Sequence, residues 1–139
     1  MFLIGFPLLI IPFAIYNIFA FLFGVTDWTG AVASIHIVSG AQWSISCGDM
    51  LIGFGIFVLF VEMLKATRIG VRSIIDHMLS MVIFVVMLIE FLLVQRAGTS
   101  TFFLLMVIAF VDVLGGFTIT IRTAERDINL AAADKIVSS

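Results

Sequence analysis

The chain has 139 residues, 63% of them hydrophobic and 12% charged, with a formal net charge of −2. A soluble domain of this size leaves roughly a third of its chain surface in water, too much for so apolar a composition, so lipid is needed to cover the apolar faces. The acidic balance argues against a nucleic-acid partner, and a single cysteine, Cys47, excludes an internal disulfide or dithiol chemistry.

The first apolar run, Phe2 to Gly24, contains no charged residue. It lacks a basic start and an A-x-A site, and it is too long for a signal-peptide core, so a retained helix is expected. Pro7 and Pro12 predict a kink or a loose first turn. Asn17 is expected to make an interhelical hydrogen bond.

Residues 33–47, ASIHIVSGAQWSISC, change the period from helical to two. Ile35 and Ile37 alternate with Ser34 and His36, and Trp43, Ile45 and Cys47 alternate with Ser44 and Ser46. Ser39-Gly40-Ala41 supplies a turn, so a short extracytoplasmic β-hairpin is expected, packed on the end of a helix bundle. A re-entrant or interfacial helix is the rival reading. Trp28 and Trp43 fall where indole rings settle at a membrane interface. His36 lies on the polar face of this lid; an unperturbed imidazole titrates near ~6.5, which makes it a candidate pH-sensitive group.

Three further spans follow, about 48–64, 74–94 and 101–121. With the first run they match the ~20 residues that cross ~30 Å of hydrocarbon. Lys65, Arg68, Arg72, Arg122, Arg126 and Lys135 flank one side, and only Arg96 the other. That bias predicts both termini in the cytoplasm. The tail, 122–139, either continues the fourth helix or frays in solvent.

Charged residues inside spans are costly and need a protein or water partner. Glu62, Asp76, Lys65, Arg68 and Arg72 are expected to form an ion-pair layer at the inner interface, with Arg72 and Asp76 paired i,i+4 and His77 hydrogen-bonded or snorkelling beside them. Asp49 and Glu90 fall at one depth, where they could face one another; for Asp49 the structural role, as a helix cap, is the preferred reading. Asp76 and Glu90 lie within about 40° on one helix face, a stripe that includes Ser80. Asp112 is too deep to snorkel and is expected to pair with a neighbour such as Asn17 or to line water. Gly115 and Gly116 after it allow close packing.

The expected fold is therefore an all-α membrane protein, one domain of four transmembrane helices in an up-down bundle with a β-hairpin between helices 1 and 2. No activated nucleophile, Gly-rich phosphate loop or metal set suggests an enzyme. The expected role is a non-enzymatic accessory or scaffold subunit of a larger membrane assembly, in what reads as a bacterial inner membrane. The alternative is a homo-oligomeric proton- or cation-linked transporter or channel using Glu90, Asp112 and Asp49. Partners are then the bilayer and other membrane subunits or further copies of the chain. No cofactor is expected, though the bundle leaves room for a lipid or pigment.

Overall fold

The computed structural model describes residues 5–68 and 70–138. Helix α1 (Ile10–Asn17) runs into a π-helical turn (Ile18–Leu22). Strands β1 (Ala31–His36) and β2 (Gln42–Ser46) follow, then α2 (Cys47–Ala66), α3 (Val71–Leu93) and α4 (Ser100–Ser138). Helices α2, α3 and α4 are each long and apolar enough to cross a membrane. The two ends of their bundle are called here the hairpin end and the turn end, the latter carrying the α2–α3 turn.

The first apolar run is helical only from Ile10 to Leu22, and its residues 2–4 lie outside the described residues. Proline explains the late start. Pro7 precedes the helix, and Pro12 stands in its first turn, where an N–H would have had no intrahelical acceptor. Eight α-helical and five π-helical residues rise only about 20 Å. The flanking chain extends this reach: Leu8 N–H donates to Glu62 Oε1 at 2.7 Å near the turn end, and Tyr16 OH donates to the Arg96 carbonyl at 2.8 Å near the hairpin end. Within the π-helical turn, the Ala20 carbonyl accepts from Arg96 Nη1 at 2.6 Å. An irregular helix in an apolar setting is tolerated when such a donor comes from a neighbouring segment.

The hairpin forms with the alternation read from sequence. Ile35 pairs with Trp43 and Ser34 with Ser44, and a bulge falls between Ala31 and Ala33. Gly40 turns the chain at φ +89°, a left-handed conformation that costs glycine little. Of the two settings expected for the hairpin's apolar face, lipid headgroups or helix tops, the helix tops do not cover it. Ile35 and Trp43 are about half exposed, at 49% and 51%, so it projects from the start of α2. Trp28, by contrast, is buried and stacks on Tyr16 at 4.4 Å.

That stack anchors the core. Tyr16 meets the Phe102 ring edge-on at 4.9 Å, and Leu51, Val58, Met87, Leu105 and Ala109 fill the space below. The outward faces stay apolar: Phe57, Phe60, Leu92 and Leu93 are all exposed, which suits hydrocarbon rather than water. Helix α4 is 39 residues long, about 58 Å. It continues unbroken through the expected tail as an exposed arm, with residue 139 outside the described set.

Ser46 and Asp49 start α2 with a capping box: Asp49 N–H donates to Ser46 Oγ at 3.1 Å, and Ser46 N–H to Asp49 Oδ2 at 3.0 Å. Gly48, between them, donates its N–H to the Trp28 carbonyl at 2.9 Å. A Cβ there would lie 2.5 Å from Thr101 Oγ1 and 2.8 Å from that carbonyl. Unfolding titrations in mixed micelles should therefore show Ser46→Ala costing about 1 kcal/mol and Gly48→Ala a larger ~1–3 kcal/mol; the reverse order would contradict this packing.

Candidate functional site

The polar residues of the apolar helices gather mainly on one inner seam. On α3, Ser73, Asp76, His77, Ser80 and Met87 are the buried residues. Their spacing of three, four and seven is that of a single helix face. This face meets Glu62 and Lys65 of α2, also buried, and Asp112 of α4, only 1% exposed.

Lys65 organises the turn end. Its Nζ lies 3.0 Å from Glu62 Oε1 and 3.1 Å from Asp76 Oδ2, and it donates to the Phe6 carbonyl at 2.7 Å. An ammonium has three donor positions, and these partners occupy all of them. Glu62 Oε1 in addition accepts from Leu8 N–H. The ion-pair layer read from sequence is thus narrower than expected. Arg68 and Arg72 are exposed, and Asp76 pairs with Lys65 rather than with Arg72. The reason is local: Arg72 opens α3 beside Gly5, while Lys65 ends α2 on its buried side.

His77 lies one residue further on. Its Nε2 is 2.7 Å from Thr120 Oγ1, and that hydroxyl donates to the Ala66 carbonyl at 3.1 Å. A threonine hydroxyl has one proton, so His77 must donate from Nε2. The imidazole fits because Gly116 leaves room; a Cβ there would lie 2.7 Å from His77 Cε1. Gly115 likewise faces the end of Met63. The paired glycines therefore admit side chains rather than a second backbone.

Above this layer the seam is polar but unpaired. Asp112 has Glu62, Asp76 and Lys65 as charged neighbours and the Ser80 hydroxyl at the margin of hydrogen-bonding reach. Yet both Asp112 carboxylate oxygens, Ser80 Oγ and Asp76 Oδ1 are buried without a hydrogen-bond partner among the described residues. The pairing expected between Asp112 and Asn17 does not occur. Asn17 Nδ2 donates instead to the Phe13 carbonyl at 3.1 Å and to Glu90 Oε2 at 3.4 Å, on the hairpin half of α3; α1 itself packs on α2 and α4.

The remaining candidates are separated. Asp49 is exposed and engaged by Ser46, so it serves the cap, while Glu90 is half-buried beside Asn17. The two carboxylates share a depth but have different partners, and Asp49 takes the structural role preferred for it. His36 is exposed next to the hairpin turn, opposite Gln42. Among the described residues no group of three or more His, Cys, Asp or Glu side chains is placed to hold a metal ion. Thr120 escaped the sequence reading because a lone threonine in an apolar helix usually bonds its own backbone, as Thr118 does with the Leu114 carbonyl.

Comparison with family models, curated proteins and solved structures finds no match to this chain. The seam must therefore be read from its own chemistry.

Lys65→Met strands two buried carboxylates and should cost about 3–5 kcal/mol, whereas replacing Glu62, Lys65 and Asp76 together with Gln, Met and Asn should cost much less. Thermal unfolding in detergent would measure both. Equal losses would contradict the assignment of Lys65 as the shared counter-ion.

Proposed function

We propose that this chain is a small integral membrane protein that crosses the bilayer four times and serves as a non-enzymatic accessory subunit of a larger membrane assembly. The short first helix supplies the fourth crossing, since residues 6 and 8 bond to the turn end and Tyr16 and Ala20 to the hairpin end. The basic residues support the direction. Thr120 bonds to the Ala66 carbonyl, so Arg122 and Arg126 leave the bundle at the same end as Lys65, Arg68 and Arg72. By the positive-inside rule that end is cytoplasmic, in the inner membrane of a bacterium, and the hairpin is outside.

The observation that carries the accessory role is the arm of α4. Beyond residue 121 it runs for a further 17 residues as an exposed helix. Ile121, Ala124, Ile128 and Ala132 recur at helical spacing, and Ile121 and Ile128 are 53% and 68% exposed. Solvent-exposed helices of this length gain most of their stability from packing an apolar stripe against a partner. A neighbouring subunit fits that need.

Gentle detergent extraction followed by native gel and mass spectrometry should recover a stoichiometric heterologous complex. Ile128→Asp should release this chain from it without changing its helical circular dichroism. A homo-oligomer alone, or a complex indifferent to Ile128→Asp, would contradict the proposal.

One observation favours a second reading, a proton- or cation-linked transporter or channel working as a homo-oligomer. Asp112 is a buried carboxylate with both oxygens unpartnered, as ion-pathway carboxylates inside membranes often are. On this reading, protein reconstituted alone carries protons or alkali cations, and Asp112→Asn abolishes the flux. Glu90→Gln, which leaves the Asn17 contact in place, lowers it less. Undiminished flux in Asp112→Asn would reject the assignment.

A further inference from the structure

The buried polar groups are distributed unevenly along the bundle. From the turn end inward come the Ala66 carbonyl and Thr120, then Lys65, Asp76, His77 and Glu62, then Ser80 and finally Asp112. Asp112 is eight residues from Thr120 on α4, about 12 Å. On the hairpin side of Asp112 the interior becomes mainly apolar and aromatic: Ala109, Leu105, Met87, Phe102, Tyr16 and Trp28, with Trp28 Nε1 a single uncharged donor there that lacks a partner among the described residues.

Two features of the polar half need an external partner. Four oxygens in it, both of Asp112, Ser80 Oγ and Asp76 Oδ1, are buried without a hydrogen bond among the described residues. Each would cost about 1–3 kcal/mol if left dry. Such groups in native proteins are met by internal water, which needs two to four polar partners, and Ser80 stands beside Asp112, within reach of the same water. The second feature is charge. Three carboxylates, Glu62, Asp76 and Asp112, share a single ammonium, Lys65. A buried excess of one sign is relieved by a proton held on one of the carboxylates or by a mobile cation that reaches them, and either must arrive through the seam.

We propose that water enters the bundle from the turn end along this seam and stops at Asp112, making Asp112 a carboxylate that small hydrated cations reach from that side alone. The ligand class is a monovalent cation of hydronium or alkali-metal size; the carboxylates of the seam disfavour anions. The inference deepens the transport reading of Asp112 by assigning its side of access. It concerns solvent entry, so it is tested without any flux or captured subunit.

The natural chain has one cysteine, so a Cys47→Ser background gives single-thiol reporters. Ser80→Cys probes the seam, Met87→Cys the apolar half, and Ala133→Cys the exposed arm, which marks the turn side. Sealed vesicles of known orientation are exposed to silver ion, a small thiol-reactive cation, or to dicyanoaurate, a small thiol-reactive anion. Thiols left unreacted are then counted with a maleimide after unfolding. The thiol of Ser80→Cys should react with silver from the same face as that of Ala133→Cys. Its silver-to-dicyanoaurate rate ratio should exceed that of a free thiol by about tenfold or more. Met87→Cys should stay silent. Should Ser80→Cys unfold, Asp112→Cys replaces it for the side of access. No reaction from the arm's face, reaction from the opposite face only, a preference for the anion, or equal reaction at position 87 would each overturn the proposal.

Discussion

One ammonium group decides how this chain is put together. Lys65 is buried at the end of α2, where an unpaired charge would be prohibitive. Its partners come from three places in the sequence: Glu62 one turn back, Asp76 across the α2–α3 turn, and the Phe6 carbonyl from the segment before α1. Satisfying Lys65 therefore ties the ends of α2 and α3 together at their turn, while both helices pack on α4, and brings the start of the chain to the turn end. With that end held, the short α1 has to run along the bundle toward Tyr16, Arg96 and Trp28, where the aromatic stack and the Tyr16 hydroxyl fix its other end. The core between these two points is apolar and needs no further direction.

Much of this was legible in the sequence, and the reasons differ by element. The two-residue alternation around Ser39-Gly40 predicted the hairpin because a strand's side-chain period is set by backbone geometry alone. Asp49 suggested a cap at the start of α2 because capping is local; the cap itself is Ser46, and Asp49, three residues on, completes the box. Three of the expected spans correspond to long apolar helices, since length and composition suffice for them. The first did not form as read. Two prolines and a π-helical turn shorten it, and its reach is completed by backbone groups of residues 6 and 8, which no side-chain pattern encodes.

The polar site was half legible for a related reason. Counting residues gives depth, so the layer of Glu62, Lys65 and Asp76 and the deep position of Asp112 were foreseeable. Direction around the axis depends on which helices touch: Asn17 makes the expected interhelical hydrogen bond, but to Glu90 rather than Asp112, and Asp49 takes its capping role at the start of α2 rather than facing Glu90. Ser80 and Thr120 gained importance only once α3 and α4 were face to face. The resulting bundle is polar toward one end and apolar toward the other. It also carries an exposed helical arm beyond its polar end, so the features available for function lie on a single side.

The arrangement around Lys65 is tested most directly by a cross-link between the start of the chain and the α2–α3 turn. A Cβ built at Gly5 lies 3.8 Å from Arg72 Cβ, within the ~3.5–4.5 Å that disulfides span. In a Cys47→Ser background, mild oxidation in native membranes should join the thiols of Gly5→Cys and Arg72→Cys. The pair Gly5→Cys with Ser39→Cys, at the hairpin tip, should stay reduced. If the first pair remained reduced while the second joined, the chain would begin at the other end of the bundle and the account of α1 would be wrong.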